Sequence, residues 1–443
     1  MAKTKRRSVL KLAGGTAAVS LGGMAGILAT GRTPAYAQQK TVHWLKWVDF
    51  VPATDKLFKD VMMPEAEKAL GIKINMETVN GNDLQPRITA GIQSGGGPDV
   101  IMSFNSYTHL YSNSVVDVSE LAEEVGKREG GLYKYARAIC SDGKMFMGMP
   151  WAVIGGMIAY RKSWFAEIGI TPDKFPDNWE AYREAGKKLK AKGRPLGQTL
   201  GHTFGDAPGF TYPYLWSWGG KEVEADGKTV VLNSKETIES VKFMTGFWKD
   251  AHDEGALAWD DTNNNRAFLS QTISATLNGA SIYIETLRKP EQYKTEDGKP
   301  LNTDILHAPL PKGPAGQFGF HLLQSNMIMK YSKNQDAAKQ FLKWMHDEAN
   351  YRRFFESQKG FATPCTAKWE GDKLWDVDPV MTPYKVAAKL GQAIGYAGPP
   401  NAKAQEGLSK YVITDMYAKA VQGMPAEESV KWAEAELKKI YQP

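Results

Sequence analysis

Cysteine is nearly absent: two residues, Cys140 and Cys365, in a chain of 443. That excludes a disulfide framework and any cysteine-rich zinc site, because neither residue sits in a Cys-x-x-Cys spacing. An oxidising compartment permits one bridge between them, and the sequence leaves that bridge and two free thiols as alternatives. Catalytic signatures are missing too. There is no Gly-x-Ser-x-Gly, no His-Glu-x-x-His, no phosphate-binding Gly-x-x-x-x-Gly-Lys loop and no dinucleotide fingerprint. The seven histidines, at 43, 109, 202, 252, 307, 321 and 346, stand at no metal-ligand spacing from one another. These absences point away from an enzyme and from a resident metal or cofactor. After the first 37 residues, no apolar run is long enough to span a membrane. No internal repeat or low-complexity tract is present.

A charge excess is lacking as well, once the N-terminus is set apart. Lys3, Lys5, Arg6, Arg7 and Lys11 precede a weakly apolar, Gly/Ala-rich stretch, and Ala35-Tyr36-Ala37 has the small-x-small form cut by signal peptidase. Lys5 to Lys11 resembles a twin-arginine export signal. Residues 1–37 are therefore expected to be a cleaved signal that sends the protein to the periplasm. They hold six of the 55 basic residues and none of the 49 acidic ones, so the remainder carries 49 of each sign and no net charge. A nucleic-acid partner calls for a basic excess on the folded part, and none remains.

What is present is alternation of strand and helix. Thr41–Leu45 and Ile72–Val79 alternate apolar and polar residues as strands do, and Asp55–Leu70 carries apolar residues at helical spacing up to Gly71. Asp83–Ser94 continues as a helix, Gly95-Gly96-Gly97-Pro98 breaks it, and Asp99–Met102 is the next strand. Further strands are expected at 144–150, 156–161, 273–277, 305–308 and 326–331. Helices are expected at 179–192, 238–252 and 335–347, and over the last 65 residues or so. Such alternation predicts an α/β fold of mainly parallel sheets flanked by helices. The 406 residues after the signal are too many for a single core and predict two lobes. A phosphate cradle at 95–99 is excluded because a strand, not a helix, follows the glycines.

Several strings resemble, in order, the extracellular solute-binding proteins of the maltose-binding type. They are Gly95–Ile101, Gly148–Trp151 with Met157–Lys162, Pro176–Glu180, Ala308–Pro314, Lys330–Trp344 and Gly360–Pro364. The chain departs from the pattern at Arg161 and Asn178, where asparagine and threonine are usual. The resemblance implies a two-lobed periplasmic-binding-protein fold with a multi-strand hinge. It divides the mature chain into a first lobe of 38–152 and 272–318 and a second of 153–271 and 319–443. It implies a monomeric, non-enzymatic receptor that hands a small ligand to the permease subunits of an ABC importer.

Ligands in such folds sit at the carboxyl ends of parallel strands. The candidate contacts there are Trp44, Trp47 and Asp49 after the first strand, Asn82 and Asp83 after the second, and Asn105 after the third. Trp151 comes from the hinge, Asp206, Trp216 and Trp218 from 205–220, Gly279 and Ser281 from the sixth strand's end, and Phe320 and His321 from the return crossing. Flat indole rings beside Asp and Asn suit a sugar or polyol, whose C–H faces stack while its hydroxyls find partners. The same inventory also admits a quaternary amine, a polyamine or an amino-acid derivative. A secreted glycan hydrolase would need two carboxylates facing each other across the cleft. A module feeding a membrane sensor would use the same closure.

Overall fold

The computed structural model describes residues 40–442, so the expected signal peptide lies outside the described residues. Among the described residues, nine strands form two sheets. They are β1 (Thr41–Trp47), β2 (Lys73–Val79), β3 (Val100–Phe104), β4 (Met149–Ile154), β5 (Met157–Arg161), β6 (Ala275–Asn278), β7 (Ile305–Ala308), β8 (Leu322–Ile328) and β9 (Ala362–Pro364). The larger sheet has the order β2-β1-β3-β8-β4-β9, the smaller β6-β5-β7.

The first three strands follow from their sequence. β1 is almost fully buried while β2, at the sheet edge, alternates, and helices over 52–70 and Gly81–Ser94 make the crossovers between parallel partners. Gly71 and Gly95, both left-handed, stop those helices. Asn80 caps the second one by accepting from the Asn82 backbone N–H (2.9 Å). Asp99 fixes the turn that follows. Its carboxylate accepts from the His43 backbone N–H (2.8 Å) and from the Ser332 hydroxyl (2.5 Å), tying the starts of β1 and β3 to the segment after β8.

Two expectations need correction. The sheets are not mainly parallel: β3–β8, β4–β8 and β4–β9 are antiparallel, as are both pairings of the smaller sheet. The lobe division also shifts. β8 lies in the middle of the larger sheet, and buried residues from Leu322 to Ala393 pack in its core, so 322–393 is not second-lobe chain. Phe320 and the end, Ile394 to Tyr441, pack with the smaller sheet. Likewise β6 and β7 belong to the smaller sheet, although the Ser281–Arg288 helix between them buries Ile282, Tyr283 and Ile284 in the larger core. Asp206–Trp218, given no element from the sequence, is a helix of 13 residues.

The chain crosses between the two bodies at Gly155-Gly156, near Phe320–Leu322 and at Ala393–Ile394. His321 sits at the second of these. Its Nδ1 accepts from the Gly156 backbone N–H (3.1 Å), which joins two crossings, and Tyr135 donates to its carbonyl oxygen. Burial pushes its imidazole down to about 4, so the ring is neutral at pH 7. Replacing His321 by Ala strands the Gly156 N–H and empties the ring's volume. The expected loss is on the order of 2–4 kcal/mol, read as a lower urea midpoint; an unchanged midpoint contradicts the hinge role. Cys140 and Cys365 are both buried and unbridged.

Candidate functional site

One cleft lies where the two sheets face each other. Trp47, Phe50, Phe204, Phe320 and Phe361 form its apolar walls, and Asp206, Asp261, Asn278 and Ser281 its polar side. Each comes from a definable place. Trp47 ends β1, where the parallel strand releases its last side chain. Asp206 begins the helix to Trp218, in its first turn, where a carboxylate suits the positive end of the helix dipole. Gly279 follows β6, and a Cβ there would stand 2.6 Å from the Ile154 side chain, so only glycine lets the two sheets approach.

The aromatic wall is interlocked. Trp47 meets Phe50 and Phe104 edge-on, with ring centres 5.1 and 5.5 Å apart, and lies nearly parallel to Phe361 at 6.5 Å. Phe204 stacks on Phe104 at 5.0 Å. A Cβ on Gly81 would collide with its ring at 2.4 Å. A second bridge nearby joins the bodies: the Ser106 backbone N–H donates to Gln405 Oε1 (2.9 Å).

The polar side is a hydrogen-bonded net held by the helix Asn263–Leu269. Asn264 Nδ2 donates to Asp206 Oδ2 (2.6 Å) and to the Leu277 carbonyl (3.1 Å). Asn265 Nδ2 donates to Ser281 Oγ (2.9 Å) and its Oδ1 accepts from Asn278 Nδ2 (2.7 Å). Asp261 accepts from the backbone N–H groups of Gly205 (3.2 Å) and Asp206 (2.8 Å). Burial and mutual repulsion hold the Asp206 carboxyl far above the usual range, and burial pushes Asp261 up to about 6. Two close carboxyls without a cation cannot both ionise cheaply.

Of the fourteen residues expected from sequence, Trp47, Asp206, Gly279, Ser281 and Phe320 line the cleft. The other nine do not. Trp44 is core and donates to Asn326 Oδ1 (3.1 Å). Asp49 is buried, accepts from the Val51 N–H and from Gln358, and is raised by burial to about 6. Asn82 and Asp83 are exposed in the first turn of their helix. Asn105 is buried in a left-handed conformation (φ 46°), with Oδ1 unpartnered. Trp151 packs against Phe354, Tyr351 and His346 inside the larger core. Trp216 is buried and donates to Glu222 (2.8 Å), and Trp218 packs on Phe243. His321 serves the hinge. The residues missed were chiefly Phe50, Phe204 and Asp261. The only sequence signal for Asp261 was its place in the run Asp260-Asp261-Thr262 before an asparagine-rich helix start.

Among the described residues, no cluster of metal-ligating side chains occurs and no helix is long and apolar enough to cross a membrane. The family model for bacterial extracellular solute-binding proteins matches residues 51–351. The chain belongs to that family. Solved structures agree with this solute-binding protein in fold. T. maritima MalE3, solved with maltose, superimposes with a TM-score of 0.74 at 18% identity, over 90% of this chain and 99% of that one. A sugar transporter from Arthrobacter chlorophenolicus A6, solved with laminaribiose, gives 0.73 at 16%, over 90% and 99%. A solute-binding protein of an ABC transporter from Agrobacterium radiobacter K84, in complex with ribitol, gives 0.71 at 18%, over 90% and 98%. No curated protein matches the sequence. The family is one of binding proteins, not enzymes.

Proposed function

We propose that this solute-binding protein is the capture component of an ABC importer, exported to the periplasm on a twin-arginine signal and working as a monomer. Its two bodies close on one small polyhydroxylated molecule, a sugar or polyol, and the permease subunits receive it unchanged. The observation that carries this reading is the two-sided chemistry of the cleft. Aromatic faces stand opposite a satisfied amide and carboxyl net, which suits a molecule with apolar C–H faces and polar edges. The relatives solved with maltose, laminaribiose and ribitol support the same class. Trp47, Phe320, Asp206, Ser281 and the Gly279 backbone are the proposed contacts.

A melting-temperature screen against mono- and disaccharides, polyols and their amino derivatives tests it. A ligand at 100 times its dissociation constant adds about 2.7 kcal/mol to the native state, enough to raise the melting temperature clearly. Failure of every compound to do so, or conversion of any compound to product, contradicts the reading.

A further inference from the structure

The charged residues lining the cleft are of one sign. Asp206 and Asp261 are there, and no lysine, arginine or histidine is among the lining residues. Asp206 accepts from Asn264 and Asp261 from backbone N–H groups, with Thr203, Tyr384, Tyr411 and a third acid, Asp260, nearby. The pair thus faces an aromatic box with no basic side chain among the residues lining the cleft. The faces of Trp47, Phe50, Phe204, Phe320 and Phe361 carry the negative side of their ring quadrupoles, and these attract a cation. A second, independent feature points to a ligand. Trp47 is only 1% exposed, lines the cleft, and its Nε1 donor is buried without a partner. The Nε1 donors of Trp151 and Trp218 are unpaired as well, and of the three only Trp47 lines the cleft, where a ligand atom can accept from it.

We propose that the ligand is a hydroxylated primary amine, a single-ring amino sugar or an amino polyol, with its ammonium against Asp206 and Asp261 and a hydroxyl oxygen accepting from Trp47 Nε1. This rests on the transport reading above and names the ligand class of the same cleft. The ammonium lets both carboxyls ionise together, because it supplies the positive charge the protein withholds. The small size follows from the narrow space between the walls, where Phe204 stacks on Phe104 between the bodies.

Calorimetry at pH 7.5 on the whole mature protein tests this with matched compounds: glucosamine, glucose and N-acetylglucosamine; galactosamine, galactose and N-acetylgalactosamine; glucamine and sorbitol. At least one amine is expected to bind tenfold or more tightly than its neutral parent and its N-acetyl form, a difference of about 1.4 kcal/mol. In Asp206→Asn that preference is expected to fall below threefold. If that variant does not fold, the comparison of amine with N-acetyl compound on the unaltered protein decides alone. Neutral sugars binding as tightly as their amines, or the preference persisting in Asp206→Asn, overturns the amine and leaves the transport reading intact. Binding in neither series, alongside a failed melting-temperature screen, overturns both.

Discussion

Replacing Trp47 by Ala is expected to abolish capture, lowering ligand affinity at least a hundredfold, and to cost on the order of 3–5 kcal/mol of stability. The two effects share one cause. The indole is at the centre of the aromatic wall, in contact with the rings of Phe50, Phe104, Phe204 and Phe361, so its removal opens the wall and the cleft together. Trp47→Phe separates the two. Phenylalanine keeps most of the ring contacts but removes the unpaired Nε1 donor. The unliganded protein should change by less than about 2 kcal/mol, because a smaller ring loses some packing while an unsatisfied buried donor disappears. Ligand affinity should still fall about tenfold, the worth of one good hydrogen bond in a desolvated site. Urea titration and calorimetry on the two variants check both statements. Full affinity in Trp47→Phe would show that the donor meets no ligand.

Trp151 gives the opposite pattern. Its ring lies in the larger core, 4.5 Å from Phe354, 4.9 Å from Tyr351 and 5.0 Å from His346, and it is absent from the cleft. Trp151→Ala is expected to cost on the order of 3–5 kcal/mol of stability. Affinity measured on the folded fraction should stay within threefold. The urea midpoint reads the first and calorimetry well below that midpoint the second. A tenfold loss of affinity without a comparable loss of stability would return Trp151 to the binding site.

The contrast between these two tryptophans shows what the sequence carries. Trp47 ends β1 and Trp151 lies within β4, and from the sequence both read as aromatic residues at a strand end or hinge. Periodicity says that such a side chain leaves the strand on one face; it does not say whether that face meets a helix or the other body. The parallel part of the larger sheet was legible because β1, β2 and β3 are separated by capped helices with clear stop signals at Gly71 and Gly95. β8 was not assigned to that sheet because its partners, β3 and β4, are roughly 170 to 230 residues earlier in the chain, and no local signal reports them.

The helix Asp206–Trp218 was hidden for a different reason. From Ala207 to Ser217 every residue is buried, so no polar face marks a period, and Pro208, Gly209 and Pro213 read as breakers. Its burial turns Trp216 into core, donating to Glu222, whose carboxyl is pushed by burial to about 7. Asp206 was legible because a polar residue opening an apolar stretch is conspicuous. Phe204 and Asp261 were not, since nothing local shows that a loop phenylalanine crosses to the other body, or that two acids far apart in sequence share one cavity.

Small-angle scattering on the mature protein, with and without a saturating ligand found by the melting screen, tests the central claim most directly. A fall in the radius of gyration on adding ligand, with the compound recovered chemically intact, is the expected result. An unchanged scattering curve at full occupancy, or a chemically altered compound, would contradict it.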